Sequence, residues 1–129
     1  MIRFAVSALA ASFAVTLSAA EMTPAEKFIR ENWKDSIRIN TKDEGEHVGL
    51  PFPYTCPCAG GMFQEMYYWD TYFTNVGLIL SDMTEQAKNN CRNIAYMIDR
   101  FGFMPNGNRT YYLGNSQPPF FSRMVYDIY

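Results

Sequence analysis

YYWDTYFTNVGLILSDMTEQAKNNCRNIAYMIDRFG, residues 67–102, is the stretch from which the fold is read. Its first part, residues 67–80, predicts a helix that is apolar nearly all round. Tyr68, Trp69, Tyr72, Phe73, Val76, Leu78, Ile79 and Leu80 leave only a narrow polar stripe of Asp70, Thr71, Thr74 and Asn75. A helix without a wet face is buried on most sides, and a buried polar stripe must meet protein, water or ligand. After a tight Ser81-Asp82 turn, Asp82-Met83-Thr84-Glu85 offers an N-cap with an acid three residues later. Ala87, Cys91, Ile94, Ala95 and Ile98 then recur at helical spacing, with Lys88, Asn89, Arg92, Asn93 and Asp99 on the other face. Gly102 stops this second helix after Phe101. A buried helix joined by a short turn to an amphipathic one predicts an αα-hairpin with an inner and an outer member. Such a hairpin is the unit of a double-layered helical toroid.

Two loops flank it. Upstream, residues 59–73 read A-G-G-M-F-Q-E-M-Y-Y-W-D-T-Y-F, a glycine pair running into an aromatic block with Glu65 and Asp70. Downstream, residues 102–121 read G-F-M-P-N-G-N-R-T-Y-Y-L-G-N-S-Q-P-P-F-F. Aromatic faces pack against the apolar faces of sugar rings, and carboxylates accept hydrogen bonds from hydroxyls.

Together the two loops resemble the paired signatures of the trehalase family of glycoside hydrolases, P-G-G-R-F-x-E-x-Y-x-W-D-x-Y and P-N-G-x-R-x-Y-Y-L-x-R-S-Q-P-P. The first is matched at Gly60, Gly61, Phe63, Glu65, Tyr67, Trp69, Asp70 and Tyr72. The second is matched at Pro105, Asn106, Gly107, Arg109, Tyr111, Tyr112, Leu113, Ser116, Gln117, Pro118 and Pro119. The resemblance implies an all-α fold, the N-terminal part of an (α/α)6 barrel, and hydrolysis of trehalose to glucose with inversion by two carboxyl groups. In the family both catalytic acids come from the later part of the barrel, so none is assigned here. The resemblance implies a sugar pocket built from Phe63, Trp69, Asp70, Asn106 and Gln117, with Glu65 and Arg109 orienting the loops through an ion pair or backbone bonds. No cofactor is expected, and a metal site at the cysteines would need further ligands, the only histidine, His47, lying well away in sequence.

Met62 and Asn115 depart from the family pattern, standing where it has site arginines. Each lost guanidinium removes fixed, charged donors. The partner is therefore read as a disaccharide or other α-glucoside. A related α-glycosidase with a different substrate, or a non-catalytic carbohydrate-binding protein, is the alternative.

The remaining sequence sets bounds. The chain has 129 residues, 16% aromatic, with formal net charge -2. That balance gives no reason to expect nucleic acid or an anionic membrane as partner. Residues 1–20 read as a signal peptide: Arg3, an apolar run from Phe4 to Leu17 too short for a confident span, and small residues Ser18, Ala19 and Ala20. Residues 21–129 are then an exported, periplasmic or secreted portion of the catalytic domain without stable membrane insertion. They end inside a predicted helix over 120–129, which reads as truncation.

Three cysteines remain. Cys56-Pro57-Cys58 is awkward for a bridge between its own ends, and a Cys91 link to either leaves an odd thiol. Thr23-Pro24-Ala25-Glu26 predicts a first helix ending near Asp35. Residues 36–59, rich in proline and glycine, predict a long ordered loop or short extended piece, with His47 at the surface. A further extended piece is expected over 110–113. Asn108-Arg109-Thr110 fits a glycosylation acceptor but lies inside the second signature.

Overall fold

A computed structural model describes residues 21–129, so the leader read at 1–20 lies outside the described residues. Four helices carry the architecture: α1 Pro24–Asn32, α2 Tyr68–Leu80, α3 Thr84–Phe101 and α4 Phe121–Ile128. One short antiparallel pairing, β1 Ile37–Arg38 with β2 Tyr54–Thr55, pins the long loop between α1 and α2.

α1 begins as its sequence requires. The Thr23 hydroxyl accepts the Glu26 N–H while the Glu26 carboxylate accepts the Thr23 N–H, closing a capping box. The helix tightens into a 3-10 turn over Trp33–Ser36. α3 ends as expected on Gly102, left-handed at φ 81°. Its start differs: Asp82 does not cap. It sits left-handed at φ 62°, its carboxylate 3.4 Å from Arg30, and Met83 takes the N-cap position without a side-chain bond.

The hairpin α2–α3 is present, with α4 packed against both helices. Val48, Leu50, Tyr54, Met66, Tyr68, Cys91, Ile94, Met97, Met104 and Met124 form the core. Unbranched methionines fill the irregular space between helices and loop. Burial on α2 differs from the sequence expectation. Thr71, Asn75, Tyr68 and Leu78 face inward, while Trp69, Phe73, Val76 and Leu80 are 42%, 59%, 38% and 70% exposed. The reason is geometric: α3 and α4 pack on one side of α2 and Trp33 packs at Gly77, while Trp69, Phe73, Val76 and Leu80 stay outside those contacts.

The inward polar groups are bonded across the hairpin. Asn90 Nδ2 donates to Asn75 Oδ1 at 2.9 Å and to Thr55 Oγ1 at 2.8 Å, while Asn90 Oδ1 accepts the Thr55 N–H at 3.1 Å. Asn93, expected on the wet face, is buried, because its side chain pairs with the Phe52 backbone N–H and C=O at 3.1 and 3.0 Å. Ala95, expected inside, is exposed.

Two further expectations are corrected. His47 is half-buried, its Nε2 3.1 Å from the Tyr54 hydroxyl. Residues Thr110–Tyr112 form a 3-10 turn. All three cysteines are free thiols; Cys91 lies in the core, where burial pushes its thiol up to about 11.

Candidate functional site

The two signature loops are stitched together at the N-terminus of α2. Met66 donates its N–H to Asn108 Oδ1 at 2.8 Å, and Asn108 Nδ2 donates to the Val48 carbonyl at 2.9 Å. Asn108 is fully buried, which removes its acceptor sequence from the surface. Tyr67 and Gly107 form a bridge. The approach is close: a Cβ on Gly107 would lie 3.1 Å from the Met66 carbonyl oxygen. Helix α2 leaves its first N–H groups without intrahelical partners. The second loop supplies them, Tyr68 donating to the Asn106 carbonyl at 3.1 Å and Trp69 to Gln117 Oε1 at 3.0 Å.

This stitching opens a cleft of about 320 Å³. Phe63, Trp69, Asp70, Asn106 and Gln117 all line it, together with Pro57, Tyr67 and Tyr112. The residues singled out in the sequence are thus brought together. Tyr67 and Tyr112 match signature positions without an expected place in the pocket, and Pro57 has no sequence signal beyond its place in a proline-rich loop. Asp70 is the only carboxylate among the lining residues. It stands in the first turn of α2, where the helix dipole favours negative charge.

Phe63 is held left-handed at φ 61°, directly after an exposed Met62. A non-glycine residue there costs about 1–3 kcal/mol and persists only where its surroundings over-determine it. Here they do. Arg38 Nε donates to Gln64 Oε1 at 3.1 Å and Arg38 Nη2 to the Ala59 carbonyl at 2.7 Å, and Gln64 Nε2 donates to the Cys58 carbonyl at 3.1 Å.

Behind the cleft wall lies the ion pair expected of Glu65 and Arg109, with Arg109 Nε 2.7 Å from Glu65 Oε1. Burial pushes the Glu65 carboxyl up, but the Arg109 and Tyr67 hydrogen bonds outweigh it and hold the group below its ordinary value. Tyr67 donates to Glu65 Oε2 at 2.9 Å and meets the Tyr112 hydroxyl at 3.1 Å.

The trehalase family model matches residues 7–129. The chain belongs to the trehalase family. A periplasmic trehalase of Xanthomonas campestris is 50% identical over 95 residues, covering 72% of this chain and 16% of that protein. A periplasmic trehalase of Pseudomonas aeruginosa is 54% identical over 76 residues, 59% of this chain and 14% of its own length. The neutral trehalase of Saccharomyces cerevisiae superposes with a TM-score of 0.56 at 29% sequence identity, over 84% of this chain and 20% of its own. The chain therefore spans less than a fifth of the length of these curated relatives.

The hairpin α2–α3 accordingly belongs to the (α/α)6 fold of trehalases, with α4 following it. In this trehalase-family chain the two departures sit at the surface: Met62 is 76% exposed, and Asn115 is exposed with its carbonyl accepting the Asn106 N–H at 3.0 Å.

Proposed function

We propose that this chain supplies part of the sugar-binding pocket of an exported, periplasmic trehalose hydrolase. The observation that carries the reading is the convergence of Phe63, Trp69, Asp70, Asn106 and Gln117, from two loops distant in sequence, on one cleft. Each has chemistry suited to a glucosyl ring. Phe63 and Trp69 offer apolar faces, and the Asp70 carboxylate accepts from hydroxyls. Asn106 offers an amide. The Gln117 amide is oriented: its oxygen is held by the Trp69 N–H, which leaves its NH2 group as the donor for a ligand. The names of the Xanthomonas and Pseudomonas relatives support both the substrate and the compartment.

Inverting hydrolysis needs a carboxylic acid and a carboxylate on opposite sides of the sugar, roughly 6.5–9.5 Å apart so that a water fits between. Glu65 is committed to Arg109 and Tyr67, and one lining carboxylate does not make a pair. Asp70 is therefore assigned to binding, and the acid and base to parts of the enzyme outside these residues.

A second reading is a related α-glycosidase with another aglycone. Met62 and Asn115 favour it, since neither replaces the charged donors of an arginine. The deciding experiment measures hydrolysis of trehalose and of other α-glucosides by a protein of the relatives' length carrying these residues, beside its Asp70→Asn variant. Trehalose turnover is expected. The kcat/KM of the variant should fall about ten- to hundredfold per charge-assisted hydrogen bond lost, with the melting temperature little changed. Turnover of other α-glucosides alone establishes the second reading. Sugar binding without any turnover reduces the protein to a binder.

A further inference from the structure

The cleft wall carries a chain of hydrogen bonds whose direction is fixed by its buried end. Glu65 accepts from Arg109 Nε at 2.7 Å and from the Tyr67 hydroxyl at 2.9 Å. The Tyr67 hydroxyl also lies 3.1 Å from that of Tyr112. An ionised carboxylate can only accept, and a phenol has a single hydrogen. Tyr67 commits its hydrogen to Glu65, so the hydrogen between the two tyrosines comes from Tyr112. Glu65 is buried and held ionised by Arg109. Burial, then the bonds to Tyr112 and Glu65, raise the Tyr67 pKa above its ordinary value, so that hydroxyl keeps its hydrogen. Tyr112 lines the cleft with no hydrogen left to donate, while its oxygen retains acceptor capacity.

We propose that Tyr112 is a ligand-binding residue whose oxygen accepts a hydrogen bond from one hydroxyl of the bound sugar, making that ring position obligatorily a donor. The inference rests on the carbohydrate reading above. Tyr112 and Gln117 then play opposite parts. The Trp69 N–H fixes Gln117 as a donor, and the Glu65–Tyr67 pair fixes Tyr112 as an acceptor. A substituent that only accepts is rejected at the Tyr112 position.

Fluorine provides the test, because it replaces a hydroxyl in size but cannot donate. Binding of trehalose and of its monodeoxy and monodeoxyfluoro derivatives is measured by calorimetry and saturation-transfer NMR. The proteins are the unmodified one and the Tyr112→Phe, Tyr67→Phe and Tyr111→Phe variants. At one ring position, hydrogen and fluorine should each weaken binding about three- to tenfold, and Tyr112→Phe should abolish that penalty. Positions that donate to Asp70 keep theirs in Tyr112→Phe. Tyr67→Phe releases the Tyr112 hydrogen, so fluorine becomes tolerated at that position while hydrogen does not. Tyr111, whose ring packs edge-on against Tyr112 outside the cleft lining, should change nothing as phenylalanine. The proposal is overturned if Tyr112→Phe keeps every penalty, or if the unmodified protein tolerates fluorine throughout. Sugar binding that depends on Asp70 but not on Tyr112 overturns this inference alone; no sugar binding by the unmodified protein overturns the carbohydrate reading with it. Should Tyr112→Phe fail to fold, the fluorine tolerance of Tyr67→Phe decides.

Discussion

The side-chain oxygen of Gln117 accepts the backbone N–H of Trp69 at 3.0 Å, so one residue of the second loop caps the helix that carries the first. In the proposed reading this single amide joins structure and binding, and the two can be separated. Gln117→Glu keeps an acceptor for Trp69 and adds negative charge at a helix N-terminus, worth about 0.3–1 kcal/mol. It removes both N–H donors. The melting temperature should hold or rise while trehalose binding weakens about three- to tenfold. Gln117→Leu should lose binding and also about 0.5–2 kcal/mol of stability, as other lost caps do. Thermal melts read beside binding isotherms check the pair; a Gln117→Glu protein that binds as the original does removes Gln117 from the site.

Asn90 is the hub of the buried polar layer. It bonds Asn75 and both the backbone and side chain of Thr55, and accepts from Gln86 Nε2 at 3.2 Å. Replacing it by leucine of similar bulk leaves those partners desolvated and unbonded, at about 1–3 kcal/mol for each group that finds no substitute. Asn90→Leu should therefore lower stability by at least about 2 kcal/mol although it makes the core more apolar. A urea midpoint unchanged from the parent at equal m-value would show that the layer is not structural.

Legibility in the sequence followed the range of the interaction. The capping box at Thr23, the glycine stop at Gly102 and the hairpin were readable because each is settled within a few residues. The orientation of α2 was not. A helix apolar nearly all round has no preferred face by composition, and what turned Thr71 and Asn75 inward was Asn90 and the packing of α3 and α4. The same holds for Asn93, buried by a backbone segment 41 residues away. The cleft residues were legible only through their resemblance to family signatures. Nothing local marks Tyr112 as different from the exposed Tyr111 beside it, since the role proposed for it follows from Tyr67 and Glu65 across the wall.

His47 gives stability a pH dependence of known sign. Burial lowers its pKa below the ordinary 6.5, the Arg109 guanidinium adds to this, and Glu65, Asp43 and Glu44 pull the other way. The folded pKa being depressed, the unfolded chain takes up the proton first as pH falls. The His47 contribution is whole above about 6.5 and is lost as pH drops through the folded value. Asp43 is held at about 2, chiefly by its hydrogen bond from Arg100, so its contribution is lost only in far more acid solution. Melting temperature should therefore fall between pH 7 and 5, and His47→Gln should flatten that part of the curve. An unchanged slope in the variant assigns it to other groups.

Phe73, Val76 and Leu80 form an exposed apolar stripe along α2, spaced three and four residues apart and running away from the cleft at Trp69. A large side chain left wet forgoes about 1.5–3 kcal/mol of burial, and contiguous apolar surface of this kind marks contact faces. In the (α/α)6 architecture an inner helix has neighbours on both sides, and within residues 21–129 α3, α4 and Trp33 pack on α2 yet leave this stripe exposed. Alone, residues 21–129 should therefore self-associate. Val76→Lys with Leu80→Lys places charge on the open side without touching the core, and lysine near a helix C-terminus suits the dipole. The doubly substituted chain should run as a monomer in size-exclusion chromatography with its melting temperature held or raised. In a protein of the relatives' length the same two lysines should lower the melting temperature, because there the stripe is covered. Opposite signs in the two settings identify the stripe as an internal contact of the barrel; a destabilising effect in both would mean that Val76 and Leu80 already support the fold of residues 21–129.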